Sequence, residues 1–395
     1  MCNLHCANSP TNGQQYPVSL EVKPDSNNNL TLCITFWDDI LPVEQAMLLL
    51  KQFDAVLSCS VLELGRCEDR NMPDTYPTEL VSMQPPQNPS IPSEGRLLHE
   101  LVEISAKKFP NRIALEFVPS LEESGKSQQW TYQELNTKGD QLAGLIHKHG
   151  LQTGSLIAIC FENCADASFA ALGILKAGCA FLAIDPAAPA ARKAFMMEDS
   201  KAVLMLTTTT LAQDFTNRMN GLVIATDKLD LETNLGDELK TAQIGNANAA
   251  SYCLYTSGST GTPKCCVISH ENAVQALAGF ERVFAGRWDR DSRWLQFASF
   301  HFDVSVLEQF WSWSVGICVV SAPRDVLFED MTASLRRLRI THIVLTPSLA
   351  RLVMPAEVPL LRKGLFITGG ELLKQEILDA WGSTGVIYNA YGPTG

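Results

Sequence analysis

The sequence of 395 residues lacks the hydrophobic runs and the excess of basic residues that would indicate a membrane or nucleic-acid protein. No apolar run approaches the length of a membrane span, and the first ten residues have neither the basic region nor the apolar core of a signal peptide. The chain has 31 lysines and arginines against 43 aspartates and glutamates, a formal net charge of −12 that argues against a nucleic-acid partner. We therefore expect a cytoplasmic protein that binds neither membrane nor nucleic acid.

The cysteines lack the spacing that a disulfide framework or a zinc site requires. All 12 are scattered along the chain, and no Cys-x-x-Cys pair occurs. Cys160 and Cys164 stand four residues apart, a wider spacing than that of a Cys-x-x-Cys pair. We expect reduced thiols and no metal bound by the protein itself.

The stretch Tyr255-Thr-Ser-Gly-Ser-Thr-Gly-Thr-Pro-Lys264 carries the most specific chemistry in the sequence. Gly258 and Gly261 let backbone N–H groups turn toward phosphate oxygens, the hydroxyl side chains add donors, and Lys264 adds a positive charge. This composition predicts a binding loop for a nucleotide triphosphate. A solvated Ser/Thr/Gly linker is the alternative, but such linkers seldom separate two strand-like apolar runs.

This loop differs from the Walker loop, in which a glycine-lysine pair is followed by Ser or Thr and leads directly into a helix. Here Pro263 precedes the lysine and Cys265 follows it. An apolar run at residues 266–268 then comes before the helical spacing of Val274 and Leu277. We therefore predict that the loop joins two strands.

Strand-like and helical patterns alternate through the middle of the chain. Residues 156–160 and 180–184 are predicted strands, and residues 165–176 are a predicted helix between them. Thr131 and Glu134 have the spacing of a capping box that starts another helix. The alternation predicts an α/β fold with largely parallel sheets.

Three later stretches, at residues 343–348, 365–371 and 386–394, each lead from a predicted strand into a turn. Ligands of open α/β sheets bind at the carboxyl ends of the strands, so these turns are candidate site segments. Asp303 is another candidate, because an acidic residue inside the aromatic run at residues 297–307 is expensive to bury without a cation. A helix N-cap is the alternative role for Asp303, and the residues alone leave both open.

The first 63 residues predict a separate small unit. Residues 18–22 and 30–37 alternate as strands and residues 43–57 have helical spacing, which gives strand, strand, helix. Such a unit is too small to close a core alone. Prolines among polar residues between positions 72 and 92 predict an interdomain linker.

In order and approximate spacing, these motifs resemble the adenylation domains of nonribosomal peptide synthetases, which belong to the adenylate-forming superfamily. The resemblance rests on the Thr/Ser/Gly loop, the Phe-Asp-Val-Ser run from Phe302, the Gly-Gly-Glu run ending at Glu371 and the Asn-Ala-Tyr-Gly-Pro-Thr run from Asn389. It implies an α/β fold, the large N-terminal subdomain of these enzymes, with layered and largely parallel sheets. It also implies ATP with Mg²⁺, an α-amino acid, and a carrier protein with a phosphopantetheine arm as partners.

The resemblance also assigns roles to residues. Asp303 holds the α-ammonium group of the substrate, Tyr391 stacks on adenine, and Lys264 is the candidate catalytic cation at the triphosphate. The implied ATP- and AMP-binding residues are Thr256, Ser257, Gly258, Ser259, Thr260, Gly261, Thr262, Lys264, Gly369, Gly370, Glu371, Asn389, Ala390, Tyr391, Gly392 and Thr394. The implied substrate-binding residues are Asp303, Val304, Leu307, Thr346, Ile367, Gly369 and Ala390, with His301 nearby. Because the walls carry no charge besides Asp303, we expect a neutral, bulky apolar or aromatic α-amino acid.

The domain prediction follows from the same resemblance. Residues 1–63 resemble the last segment of a condensation domain, residues 64–96 are the Pro-rich linker, and residues 97–395 are the N-terminal part of an adenylation domain. The alternative for residues 1–63 is a small extension of one larger domain.

The sequence departs from the family pattern at two positions. Cys265 stands where the family has glycine, which would strain the loop if that position required a positive φ. The chain ends on Gly395, where the family has a glutamate for Mg²⁺, and the C-terminal subdomain with its own catalytic lysine would follow. We therefore expect this chain alone to be inactive. An acyl-CoA or aryl-acid ligase fragment and an inactive nucleotide-binding remnant are the alternatives, and Asp303 argues against the first.

Overall fold

The chain divides into two units, Met1–Pro89 and Ser90–Gly395. The computed structural model describes residues 3–8, 18–24, 30–36, 43–63, 91–122, 125–213, 215, 222–229, 245–256 and 263–392. The second unit contains all the predicted site segments, so its sheets determine which of them meet.

The first unit is a small sheet with one helix in its described part. Strands β1 (Asn3–Asn8), β2 (Val18–Pro24) and β3 (Leu30–Phe36) precede helix α1 (Val43–Glu63). β3 lies in the middle, parallel to β1 and antiparallel to β2. The predicted strand, strand and helix are confirmed as β2, β3 and α1, and β1 is a further strand that the prediction missed. Asparagine at both ends disfavours a strand there, and pairing with β3 along the whole length of β1 overrides that propensity.

Alternate residues of β3 form the core of this unit with α1. Leu32, Ile34 and Phe36 are buried and pack in one cluster with Ala46 and Leu50, since every second residue of a strand faces the same side.

The described strands of the second unit are β4 (Ile113–Phe117), β5 (Gln128–Thr131), β6 (Leu156–Cys160), β7 (Ala180–Ala183), β8 (Leu204–Thr207), β9 (Leu222–Ala225), β10 (Ala250–Thr256), β11 (Lys264–Ser269), β12 (Arg293–Gln296), β13 (Cys318–Ser321), β14 (His342–Leu345), β15 (Leu365–Gly369) and β16 (Ile387–Ala390). Its described helices are α2 (Leu98–Lys108), α3 (Tyr132–Lys148), α4 (Ala165–Lys176), α5 (Ala190–Ser200), α6 (Thr209–Ala212), α7 (His270–Val283), α8 (Val304–Val306), α9 (Ser312–Ser314), α10 (Arg324–Glu329), α11 (Met331–Arg337), α12 (Pro347–Ala350) and α13 (Gln375–Trp381). A π-helical turn, Leu307–Trp311, joins α8 to α9.

Within the described residues these strands form two sheets. One has the order β11-β10-β7-β6-β8-β9, and the other has the order β16-β15-β14-β12-β13-β4-β5. Neighbouring strands are parallel except at β10/β11 and β4/β5, which are antiparallel edge pairs. The predicted α/β architecture with largely parallel sheets is confirmed.

The two sheets enclose a layer of helices. Helices α2, α3, α4 and α7 share one core cluster with the inner faces of both sheets, including Ile157 and Ile159 of β6 and Val319 of β13. The outer face of the first sheet packs on α5, and the outer face of the second packs on α11 and α13. Both sheets are therefore covered on both faces, as parallel sheets require.

Local sequence signals set the element boundaries. Thr131 Oγ1 accepts a hydrogen bond from Glu134 N at 3.2 Å and Glu134 Oε2 accepts one from Thr131 N at 2.7 Å, which confirms the predicted capping box. Gly178 follows α4 with a φ of 72°, a left-handed conformation that glycine adopts without a steric penalty. No helix in the described part of the chain combines the length and the apolar character needed to cross a lipid bilayer.

Candidate functional site

The carboxyl ends of four neighbouring strands bring the later site segments to one edge of the second sheet. Strands β16, β15, β14 and β12 lie side by side and run in the same direction. The segments that follow them therefore leave the sheet at the same edge, the edge at which open α/β sheets bind ligands. These segments are residues 297–303, here called the β12 loop, Thr346 after β14, residues 370–371 after β15, and Tyr391 after β16.

Asp303 lies at the end of the β12 loop, immediately before α8. Its φ of −60° and ψ of −29° are already helical, and its side chain makes no capping hydrogen bond within the described residues. The N-cap interpretation is therefore wrong. Burial chiefly raises the pKa of the Tyr252 phenol, and the negative charge of Asp303 raises it further, so the half-buried carboxylate lies near β10.

His301 stands two residues before Asp303 in the β12 loop and faces a pocket of about 490 Å³. Its ring is 4.4 Å from the ring of Phe302, and burial lowers its pKa from the usual 6.5 against the opposing influence of Asp185. Thr256 and Arg192 also line this pocket, which joins the carboxyl ends of β7 and β10 to the β12 loop. The predicted triphosphate-binding loop between β10 and β11 is here called the phosphate loop. The pocket thus connects the base of the phosphate loop with the segment that carries Asp303.

The predicted substrate walls are divided between the core and the surface. Val304 and Leu307 are half-buried against the central core cluster, and Ile367 of β15 belongs to that cluster with 2% of its surface exposed. Ala390 is exposed at the end of β16. The structure brings the first three side chains to one apolar cluster.

Gly369 has a structural reason to lack a side chain. It pairs directly with Ala390, and a Cβ at Gly369 would lie 2.7 Å from the carbonyl oxygen of Ala390. The glycine therefore permits the close pairing of β15 with β16, so it does not by itself indicate a large pocket. Gly370 has a φ of 82°, which favours glycine in the turn that follows.

Glu371 closes the turn after β15 by contacting the segment after β14. Its carboxylate accepts hydrogen bonds from Ser348 N at 3.0 Å and from the Ser348 hydroxyl. These bonds lower the pKa of Glu371, and a weaker bond from the Thr346 hydroxyl acts in the same direction. Thr346 thus lies at the start of α12, next to the Gly-Gly-Glu turn.

The proposed adenine-contacting stretch lies on and after β16, the edge strand of this sheet among the described residues. Asn389, Ala390 and Gly392 are exposed, and the side chain of Tyr391 is fully exposed. Thr394 lies outside the described residues.

The phosphate loop connects two paired antiparallel strands, as predicted. Thr256 of β10 pairs with Lys264 of β11, and Tyr255 pairs with Cys265. Cys265 is therefore extended strand and is not among the residues with a positive φ, so its Cβ does not strain this position. The loop residues Ser257, Gly258, Ser259, Gly261 and the threonines at 260 and 262 lie outside the described residues.

A hydrogen bond fixes the base of this loop to α5. Tyr255 Oη donates to Asp199 Oδ2 at 2.6 Å, and its ring packs edge-on against Phe195 at 6.3 Å between ring centroids. Lys264 is exposed on the neighbouring strand.

Sequence reasoning missed Glu308, a fully buried acid on the π-helical turn. Its Oε2 accepts hydrogen bonds from Phe297 N at 3.1 Å and from Ala298 N at 3.0 Å, the first residues of the β12 loop. The sequence could have indicated Glu308, because this acid, like Asp303, stands in a largely apolar run.

The fold is that of the adenylate-forming enzymes. A solved structure of the nonribosomal peptide synthetase FmoA3 (S1046A) in its AMPPNP-bound form matches with a TM-score of 0.65 and 24% identity. The match covers 78% of this chain and 32% of that chain.

The profile of the AMP-binding enzyme family matches residues 102–395, and the chain belongs to that family. It is 52% identical over 386 residues to nonribosomal peptide synthetase 2 of Cochliobolus heterostrophus, a match that covers 96% of this chain and 7% of the relative. It is 42% identical to the hydroxamate-type ferrichrome siderophore peptide synthetase of Schizosaccharomyces pombe, again over 96% of this chain and 8% of the relative. The chain thus spans less than a tenth of the length of these synthetases.

Proposed function

We propose that this chain binds ATP and an α-amino acid for the formation of an aminoacyl adenylate in nonribosomal peptide synthesis. The observation that carries the proposal is the meeting of four site segments at the carboxyl ends of β12, β14, β15 and β16. Membership of the AMP-binding family supports the adenylate-forming reaction. Asp303 supports an α-amino acid, because a half-buried carboxylate is a suitable counter-charge for an ammonium group.

The reaction joins the substrate carboxylate to the α-phosphate of ATP. A carboxylate oxygen attacks the α-phosphorus, the bond to the β-phosphate oxygen breaks, and pyrophosphate leaves. In the second reaction, a carrier-protein thiol attacks the acyl carbon and AMP leaves. Asp303 would hold the α-ammonium group, Lys264 and the phosphate loop would hold the triphosphate, and Tyr391 would stack on adenine. Mg²⁺ would enter with ATP as part of the substrate complex.

The side-chain walls favour a neutral substrate. Val304, Leu307 and Ile367 are apolar and contact the central core, so a charged side chain there would be desolvated without a partner. The relatives include a hydroxamate-type siderophore synthetase, and a hydroxamate side chain is also neutral. We therefore propose a neutral α-amino acid with an apolar or a hydroxamate-bearing side chain.

The domain boundaries are part of the same proposal. We propose that residues 1–63 are the end of a condensation domain, residues 64–96 a linker, and residues 97–395 the adenylation region. The division of the chain between Pro89 and Ser90 supports a boundary inside the proposed linker. The exposed apolar residues Val18 and Leu20 on edge strand β2 support a unit that normally packs against more protein.

Ligand-induced stabilisation of the 395-residue chain tests the proposal. The chain is heated with ATP, with each proteinogenic amino acid, with a hydroxamate-bearing amino acid, and with carboxylic acids that lack the amino group. Ligand at 100 times its Kd should stabilise the chain by about 2.7 kcal/mol. We expect stabilisation by ATP and by a neutral amino acid. Best stabilisation by Asp, Glu, Lys or Arg would contradict the wall assignment.

Two lysine variants check the phosphate loop in the same assay. Lys264→Ala should lose much of the stabilisation by ATP while it unfolds at the wild-type temperature without ligand, because Lys264 is exposed. Lys363→Ala is the matched control. Lys363 is exposed and precedes β15, so it lies at the amino-terminal edge of the second sheet, opposite to the edge that carries the site segments. Equal ATP responses of the two variants would refute the role of Lys264.

A further inference from the structure

Glu308 is an acid that the proposed chemistry does not use, although it lies next to the site. It is fully buried, and burial raises its pKa well above the usual range, while its amide donors and the charge of Arg324 act in the opposite direction. A buried carboxylate is costly for a fold unless it is hydrogen-bonded, so the partners of Glu308 indicate its role.

The hydrogen bonds of Glu308 fix the start of the β12 loop. Oε2 accepts from both Phe297 N (3.1 Å) and Ala298 N (3.0 Å), where β12 has just ended. These backbone groups have left the ladder of the sheet, so the carboxylate replaces strand partners. Glu308 thereby connects the beginning of the loop to the helix that follows its end.

Two other side chains fix the rest of the loop. The Ser305 hydroxyl donates to the carbonyl oxygen of Phe302 at 2.7 Å, and the carbonyl oxygen of Phe300 lies at 3.2 Å as the alternative acceptor. Arg324 donates a hydrogen bond to the hydroxyl of Ser299. Residues 297–300 and 302 of the loop are therefore tied to α8, the π-helical turn or α10, and these contacts restrict where His301 and Asp303 lie.

The π-helical turn places Glu308 for this contact. Glu308 and Gln309 are buried on this turn, as are Phe310 and Trp311, so the turn lies inside the core. Gln309 accepts a hydrogen bond from Ser168 Oγ at 2.7 Å and donates one to Ser305 O at 3.1 Å, so it holds the turn against α4. Such single π-turns occur frequently at functional sites.

We propose that Glu308 is a positioning residue for the amino-acid site: its buried carboxylate holds the β12 loop so that Asp303 meets the substrate ammonium group. This inference rests on the proposed function. Glu308 acts first on amino-acid binding, because its hydrogen bonds go to the loop that carries Asp303, whereas the proposed nucleotide contacts lie on other segments. The two affinities should therefore respond differently to its removal.

Titration calorimetry on the 395-residue chain tests this role with Glu308→Ala, Glu308→Asp and Glu308→Gln. The probes are ATP and the amino acid that stabilises the wild-type chain most in the thermal screen. Glu308→Ala should weaken amino-acid binding about 10-fold, since two hydrogen bonds that hold the loop are lost, while the Kd of ATP stays within about twofold. Glu308→Gln should restore most of the affinity, because its amide oxygen can accept from the same two N–H groups.

Glu116→Gln is the matched control. Glu116 is a second buried glutamate, on β4, where its Oε2 accepts from Arg293 Nη2 at 2.8 Å. Its variant should lose stability in urea and keep both ligand affinities, because Arg293 is the first residue of β12, at the opposite end of that strand from the β12 loop.

The outcomes separate the inference from the proposed function. Unchanged amino-acid affinity in Glu308→Ala, or equal losses for the amino acid and for ATP, would overturn the positioning role. If Glu308→Ala does not fold, Glu308→Asp decides: its shorter side chain cannot reach both amides, so wild-type affinity in that variant would also overturn it. A wild-type chain that binds ATP but no amino acid contradicts the proposed function itself, and the inference with it.

Discussion

The β12 loop and the end of β16 lie at the same edge of one sheet, yet they are held in opposite ways. The loop is fixed by hydrogen bonds with Glu308, Ser305 and Arg324. The proposed wall residues that follow it, Val304 and Leu307, pack against the buried core. In the described part of the chain β16 is the edge strand of this sheet, and its last residues and the side chain of Tyr391 are exposed. The amino-acid side of the proposed site is thus preorganised by the fold. In the proposed function the groups that contact adenine are exposed ones, and ordering them on the nucleotide would cost conformational entropy.

The largest effect on stability should come from truncating Ile367, the buried residue of the proposed substrate wall. Ile367→Ala removes a side chain that is 2% exposed and should reduce the free energy of unfolding by roughly 2–5 kcal/mol in a urea titration. Ala390→Ser, at the exposed end of β16, should change it by no more than about 0.5 kcal/mol. Ile343→Ala is the control for burial, because Ile343 is buried on the outer face of the second sheet, in the cluster that includes α11 and α13. It should lose similar stability but keep amino-acid affinity. Equal costs at positions 367 and 390 would contradict the division between core and surface.

The free energy of unfolding should depend on pH through His342, which lies at the amino-terminal edge of the same sheet. Burial lowers the pKa of His342, the first residue of β14, from 6.5 to about 4. The unfolded chain therefore binds more protons between these values, and the stability that the neutral ring contributes is lost as the pH falls from 6.5 to about 4. The difference in unfolding free energy between wild type and His342→Gln should shrink by roughly 2 kcal/mol between pH 7 and pH 4.5. A difference that does not change with pH would show that His342 titrates normally.

A smaller effect is expected at the base of the phosphate loop. Tyr255→Phe removes the hydrogen bond to Asp199 and should cost roughly 0.5–1.5 kcal/mol of stability, with weaker ATP binding and unchanged amino-acid binding. Asp199→Asn provides the second side of a double-mutant cycle. Fully additive effects of the two substitutions would mean that this hydrogen bond does not couple α5 to the loop.

Elements with a strong local signal were predictable from the sequence. The helix after Thr131 begins at its capping box, helix α4 has the predicted bounds 165–176, and the phosphate loop joins two strands as its flanking apolar runs indicate. In each case the information lies within a few neighbouring residues, where propensity and periodicity operate.

Features that depend on distant partners were not predictable. β1 forms because it pairs with β3. Position 369 favours glycine because a side chain there would meet a carbonyl oxygen of β16. The two possible roles of Asp303 were equally compatible with its neighbours in sequence. Only the helical backbone at Asp303, with no capping bond in the described residues, separates them.

The central claim is that the β12 loop holds an α-amino acid through Asp303. Its most direct test is to measure, by titration calorimetry, the affinity for the selected amino acid and for the carboxylic acid that lacks only its α-amino group, in wild type and in Asp303→Asn. A charge-assisted contact predicts that the wild type prefers the amino acid by roughly 10- to 100-fold, and that Asp303→Asn loses most of this preference while its ATP affinity is unchanged. Equal wild-type affinities for the two compounds, or a preference that survives in Asp303→Asn, would contradict the claim.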